Sequence, residues 1–327
     1  MLLRIFKANS GYNFFLLPIV GALLLLKSYL SPGVFPPVAY QPSTPLFSGF
    51  YHADISYITA LVINFAAMLI ICVQLLFINA EFAFVKERTF LPAYLFLFMV
   101  YAIPDLRVFQ PVLLSAIFLL FAIKSVFSAF EKKSVIANAF IASFCTGLTG
   151  MFYPGLLILV LLVPFGLYSL KSKIGWREYL ASLIGLLLPI IYLFTFYFVT
   201  DNVQKFIELF TNLINPQDKT TFHTIPVLAY FSYLVLITIF SSLYMLGQYD
   251  ENKISTRQYF KILFFYFFTS ALLFFFPAVS YELIIILAIP LSFLMTNYFN
   301  FMRRRFWAEL FFTILIAFSV ALQFIIE

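Results

Sequence analysis

Residues 55–78 read Ile-Ser-Tyr-Ile-Thr-Ala-Leu-Val-Ile-Asn-Phe-Ala-Ala-Met-Leu-Ile-Ile-Cys-Val-Gln-Leu-Leu-Phe-Ile, with no Lys, Arg, Asp or Glu among them. An α-helix that crosses the hydrocarbon core of a bilayer needs about 20 predominantly apolar residues. This stretch is long enough. Ten more apolar stretches lie near 13–30, 91–103, 111–129, 135–149, 154–170, 179–199, 225–246, 262–276, 283–300 and 307–326. The expected fold is therefore all-α, a single polytopic transmembrane domain over 1–327 with about 11 spans. The count falls to nine if one of the short hairpins, 91–103 or 135–149, enters and leaves on the same side. Pro104 with Pro111, and Gly150 with Pro154, break the apolar pattern where tight connections are needed. The first span exceeds a usual signal-peptide core, carries Lys27 and lacks a small-x-small cleavage site, so it is expected to be retained.

Composition gives the same answer by a separate route. Of 327 residues, 63% are apolar and 10% charged, against roughly 45–50% and about 25% in soluble domains. The mean hydropathy is +1.01. A water-soluble enzyme and a disordered chain are both excluded, and membrane lipid is the expected surrounding. The two cysteines, Cys72 and Cys145, sit inside apolar runs and give no disulfide framework.

The net charge of +6 is mostly a topology signal. With the N-terminus inside, the cytoplasmic segments hold Arg4, Lys7, Lys86, Arg88, Lys124, Lys132, Lys133, Lys171, Lys173, Arg177, Lys253, Arg257, Lys261, Arg303, Arg304 and Arg305, sixteen of the 20 basic residues. Arg107, Lys205 and Lys219 fall outside, and Lys27 near the outer end of the first span. Short cytoplasmic loops are enriched in Lys and Arg, so the N-terminus is expected inside and the C-terminus outside an inner membrane. Nucleic acid is not expected as a partner.

Two longer segments face outward in this topology. Residues 31–54 contain prolines 32, 36, 37, 42 and 45 and no Lys or Arg, giving a stiff, extended loop. In 200–224, Val203, Phe206, Ile207, Phe210, Leu213 and Ile214 recur at helical spacing with Thr200 or Asp201 as a cap. That pattern fits an amphipathic interfacial helix, or equally an extension of the preceding span.

The outer ionisable residues are few, and any chemistry must draw on them. Asp54 and Asp105 are the candidate catalytic acids or bases. His52, Arg107, His223 and Glu282 are the candidate substrate-binding residues, with Arg107 suited to a phosphate. Beside these stand structural readings. Asp54 and Glu282 suit helix N-termini, Asp105 and Arg107 suit a local ion pair, and His52 and His223 suit an interface. Asn64, Gln74, Asn79 and Asn138 suit interhelical hydrogen bonds. No phosphate loop, dinucleotide fingerprint, zinc spacing or Gly-x-Ser-x-Gly elbow is present, so no metal site and no cofactor is named.

From about Tyr57 to Phe198 the features follow a familiar order. Ile-Asn-Phe-Ala (63–66) precedes Lys-Glu-Arg (86–88), Ala-Ile-Pro-Asp-Leu-Arg-Val-Phe-Gln-Pro (102–111) and Glu-Lys-Lys-Ser (131–134). Ala-Asn-Ala-Phe-Ile-Ala-Ser-Phe-Cys-Thr-Gly-Leu-Thr-Gly-Met-Phe-Tyr-Pro (137–154), Gly-Trp-Arg-Glu-Tyr-Leu (175–180) and Gly-Leu-Leu-Leu-Pro-Ile (185–190) complete it. This resembles an uncharacterised integral membrane family of Bacteroidota. More loosely, it is similar to the C-type (GT-C) polyprenyl-phosphate-sugar-dependent glycosyltransferases. The latter resemblance implies a GT-C-like core, a polyprenyl-phosphate sugar donor bound from the outer side, and a catalytic acid in the first outer loop. Here that acid would be Asp54, with Asp105 next, although His52-Ala53-Asp54 offers one carboxylate where the family usually shows a pair. A carotene-oxygenase label attached to some members of the Bacteroidota family does not fit, because a four-histidine iron site cannot be built from two histidines. The expected function is a glycosyltransferase. The alternatives are a non-catalytic scaffold with membrane-protein partners in an envelope-assembly complex, and a carrier of lipid or lipid-linked sugar.

Overall fold

The computed structural model describes residues 2–8, 11–30, 46, 55–84, 88–171, 174–211, 225–248, 253–274, 281–302 and 305–325. His52, Asp54 and His223, with the Pro-rich segment apart from Leu46, lie outside the described residues. Among the described residues the chain is helical with no β-strand. In order the α-helices are α1 (Leu2–Lys7), α2 (Gly11–Leu24), α3 (Leu26–Leu30), α4 (Tyr57–Phe82), α5 (Leu91–Tyr101), α6 (Pro111–Phe127) and α7 (Ile136–Phe152). They continue as α8 (Leu162–Leu170), α9 (Trp176–Val199), α10 (Val203–Thr211), α11 (Ile225–Gly247), α12 (Ile254–Leu273), α13 (Ile284–Phe301) and α14 (Arg305–Ile325). Short 3-10 turns cover Pro104–Arg107, Pro154–Leu161 and Tyr281–Leu283.

The eleven apolar stretches all carry helix, with local differences. The stretch 13–30 is divided at Leu25, and 154–170 begins as a 3-10 turn before α8. α12 starts eight residues before the expected 262 because Ile254–Lys261, although polar, still forms two helical turns. Among the described residues five helices are long and apolar enough to cross a membrane: Tyr57–Phe82, Trp176–Val199, Ile225–Gly247, Ile284–Phe301 and Phe306–Ile325.

Two helices form the centre. Every residue of α5 is buried, and so are all but three of the 18 residues of α13. Helices that are apolar all round belong in an interior, and these two pack on each other with α4, α6, α11, α12 and α14 around them. The sequence of α5 permits this because Pro92 falls in the first turn, where its missing N–H costs nothing.

On one flank α7 and α9 approach closely through small residues. A Cβ on Gly185 would stand 2.5 Å from the Phe140 carbonyl oxygen, and one on Gly147 would stand 3.0 Å from Pro189 Cγ. Small residues at such contacts let helix backbones approach, as is common between membrane helices. Ser143 Oγ and Ser182 Oγ hydrogen-bond across the same seam. The opposite face of α9 is bare: Ile184, Leu187, Ile191, Tyr192, Phe196 and Phe198 are all exposed. An apolar face of this extent belongs against lipid or another protein.

Hydrogen bonds between helix ends define two ends of the bundle. At one, Thr89 Oγ1 donates to the Lys7 carbonyl (3.1 Å), Lys7 Nζ to the Asn300 carbonyl (3.2 Å), and Lys171 Nζ to the Lys133 carbonyl (3.2 Å). At the other, Tyr57 Oη donates to the Ser28 carbonyl (2.8 Å), and Lys27 Nζ to the Gln323 carbonyl near the C-terminus of α14. The first end carries most of the described basic residues. The second carries the candidate site.

Candidate functional site

The connection between α5 and α6 is short, and its backbone is held from below. In α4, Asn64 Nδ2 donates to the Val108 carbonyl (2.8 Å) and the Leu106 carbonyl (3.4 Å), while Asn64 Oδ1 accepts from Tyr101 Oη (2.9 Å). Asn64 is fully buried. One amide thus satisfies two loop carbonyls and one phenol, which is what a polar residue inside an apolar helix needs.

Pro104 opens the 3-10 turn over Pro104–Arg107, and the turn directs Arg107 inward rather than out to solvent. The side chain is 4% exposed. Its Nε and Nη2 donate to the Tyr101 carbonyl at 3.2 and 2.9 Å. That carbonyl is among the last four of α5, which have no intrahelical partner, and a cation is favourable at a helix C-terminus. Arg107 therefore caps the central helix. Burial lowers the guanidinium to about 10, opposed by the nearby Tyr101, Asp105 and Tyr57 groups, so it stays charged at neutral pH. Among the described residues Nη1 makes no hydrogen bond.

Asp105 is half-buried beside it, and its backbone carbonyl accepts from Gln110 Nε2 at 3.0 Å. The Gln110 Oε1 is buried without a partner. Glu282 sits in the 3-10 turn that leads into α13 and is 6% exposed. Lys7 bonds both to Thr89, just before α5, and to the Asn300 carbonyl at the end of α13, so the two packed helices run in opposite directions and Glu282 belongs to the same end of the bundle as Tyr101.

The structure thus brings Asp105 and Arg107 together and puts Glu282 at the same end; His52, Asp54 and His223 fall outside the described residues. The helix that follows Asp54 starts at Tyr57, and its N-cap is Ser56, whose Oγ accepts from the Thr59 N–H at 3.3 Å. Thr200 and Asp201 do not act as the expected N-cap. Thr200 closes the C-terminus of α9, and Asp201 takes a left-handed backbone (φ 52°) in the turn to α10. Phe206 of α10 then packs edge-on against Phe194 of α9 (5.4 Å). Sequence reading did not include Tyr101, Tyr57 or Gln110 in the site. The visible signal for Gln110 was an amide between Phe109 and Pro111 at a span mouth. Among the described residues no three of His, Cys, Asp and Glu gather in a way that holds a metal ion.

A buried central helix pair, a shell of membrane-length apolar helices and one polar cap define an all-α protein compatible with integral membrane placement. A family model matches residues 37–326, and the chain belongs to that family, DUF6427, a family of unknown function. No curated protein and no solved structure matches the chain.

Proposed function

We propose that the protein is a polytopic inner-membrane protein of about 11 spans, with the N-terminus inside and the Arg107 end outside. In this reading it has a GT-C-like core and transfers a sugar from a polyprenyl-phosphate donor at the outer face. The observation that carries it is the Arg107 guanidinium, buried at the mouth of the central helix pair with Nε and Nη2 committed to Tyr101 and Nη1 without a hydrogen bond among the described residues. An ionisable side chain inside a membrane bundle is by default a functional group. A planar guanidinium with a free N–H edge suits a phosphate oxygen. Arg107 would stabilise charge on the departing polyprenyl phosphate, while Asp54, or Asp105 in its place, removes the proton of the acceptor hydroxyl. His52, His223 and Glu282 complete the proposed donor-binding set.

The test is Asp54→Asn and Asp105→Asn in cells, with envelope glycans as the readout. Loss of one glycan at normal protein level supports the transferase, and unchanged glycans with both variants expressed sink it. A second reading, a scaffold in an envelope-assembly complex, draws on the bare apolar face of α9, where 17% of the span window is buried. Purification in mild detergent separates the two, since a scaffold copurifies with a stable membrane partner.

A further inference from the structure

Away from that end, a groove of about 450 Å3 opens between α4 and α6. Leu69, Val73 and Phe77 form one wall and Leu120 and Phe121 the other. Phe77 and Phe121 are 63% and 48% exposed, so the groove faces the surroundings of the bundle rather than its interior. From Leu69 to Ile78 it follows nine residues of α4, a rise of roughly 13–14 Å at about 1.5 Å per residue. That is close to half of the ~30 Å hydrocarbon core, the depth of one leaflet.

Polar groups occupy set places along it. At the foot, Lys124 lines the groove, and its Nζ lies 2.9 Å from Glu81 Oε2, with the side chains 44% and 46% exposed. Part-way up, Gln74 lines the wall, its Oε1 buried with no hydrogen-bond partner among the described residues. One positive and one negative group thus stand side by side where the apolar wall ends.

We propose that this groove is a binding site for phosphatidylethanolamine, with an acyl chain along the α4–α6 wall, the phosphate at Lys124 Nζ and the primary ammonium at the Glu81 carboxylate. The charge pattern selects this headgroup. A purely anionic headgroup gains at Lys124 and is repelled by Glu81. A choline headgroup has both charges but no N–H to donate to the carboxylate. A phosphoethanolamine group satisfies both side chains and keeps their net charge balanced. Basic positions between membrane helices near the interface are a known mode of headgroup recognition. The Gln74 amide supplies a further hydrogen-bonding group at the depth of the glycerol esters. The proposal rests on the bundle lying in a bilayer, and on neither the transferase reading nor the orientation.

The experiment is native mass spectrometry of the full chain, delipidated in mild detergent and titrated with phosphatidylethanolamine, phosphatidylcholine or phosphatidylglycerol of identical acyl chains. The expected result is retention of phosphatidylethanolamine at about tenfold lower concentration than either competitor. Glu81→Gln should abolish its advantage over phosphatidylglycerol, and Lys124→Gln should weaken all three. Equal or tighter binding of phosphatidylglycerol by the parent protein overturns the proposal even if no variant folds. So does a Glu81→Gln protein with an unchanged preference. A dimer that phosphatidylethanolamine does not dissociate, with no lipid adduct, assigns the groove to a second copy and also overturns it.

Discussion

Replacing Arg107 by methionine keeps an unbranched side chain of similar reach and removes its charge, and the structure sets the size of both consequences. Burial lowers the guanidinium from its ordinary range to about 10, which at about 1.36 kcal/mol per decade means the charged form costs the fold roughly 3 kcal/mol. Because the folded-state value lies below the unfolded one, this cost is present in full below about pH 10. It is relieved as the pH rises above that, where only the unfolded chain still holds the proton. Against it stand the two hydrogen bonds to the Tyr101 carbonyl, each worth about 1.5–3 kcal/mol for a charged donor. The Met variant loses the cost and the bonds together, so the expected net loss of stability is about 0–3 kcal/mol. The assay is thermal unfolding in detergent beside the envelope-glycan readout. A shift of 1 kcal/mol moves Tm by at most about 2–4 °C in a chain of more than 150 residues, so Arg107→Met should unfold no more than about 12 °C below the parent yet lose the glycan. A much larger fall in Tm would mean that Arg107 is kept as a helix cap. The argument that its burial signals function would then fail.

Gly185→Ala should destabilise by about 1–3 kcal/mol, the usual result of overpacking. Its Cβ would meet the Phe140 carbonyl oxygen at 2.5 Å and the Phe144 nitrogen at 3.2 Å, backbone atoms with no rotamer to escape into. Gly11→Ala, with nothing within 4 Å, is the control, and equal Tm values for the two variants would refute the close α7–α9 seam. Asn64→Leu removes the donor to Val108 and the acceptor for Tyr101 Oη at a cost of about 1–3 kcal/mol. Amide hydrogen exchange over 102–110 should quicken, and unchanged exchange there would remove Asn64 as the anchor of the loop.

What the sequence revealed and what it hid follow from range. Apolar runs of about 20 residues are local signals, and so are breakers such as Pro104 and Pro111. The helices α4, α6, α9, α11 and α13 accordingly begin and end within four residues of their apolar stretches. Asn64 and Asn138, read as interhelical hydrogen-bonding residues, do bond across elements, Asn138 donating to the Ser125 carbonyl at 2.8 Å and to Ser128 Oγ at 2.6 Å. The site was less legible. Arg107 sits two residues from Asp105 in a Pro-led turn, which suggests a surface ion pair. Its inward direction depends on the 3-10 geometry and on the uncapped end of α5, neither of which has a period in the sequence. The Lys124–Glu81 pair joins positions 43 residues apart on different helices, a meeting set by packing alone. The Ser56 cap was a missed local signal: a serine at the second position of the apolar stretch, directly before the first helical residue Tyr57.

Membrane placement underlies both the site and the lipid groove, and cysteine accessibility tests it most directly. Thr200 at the Arg107 end and Lys133 at the opposite end are both exposed. Cys72 is fully buried and silent, and Cys145→Ala removes the other native thiol. In spheroplasts treated with a membrane-impermeant maleimide, Thr200→Cys should label from outside, and Lys133→Cys should label only after lysis. Labelling of both without lysis would contradict the spanning topology, and labelling of Lys133→Cys alone would invert its orientation; either result contradicts the outward-facing site.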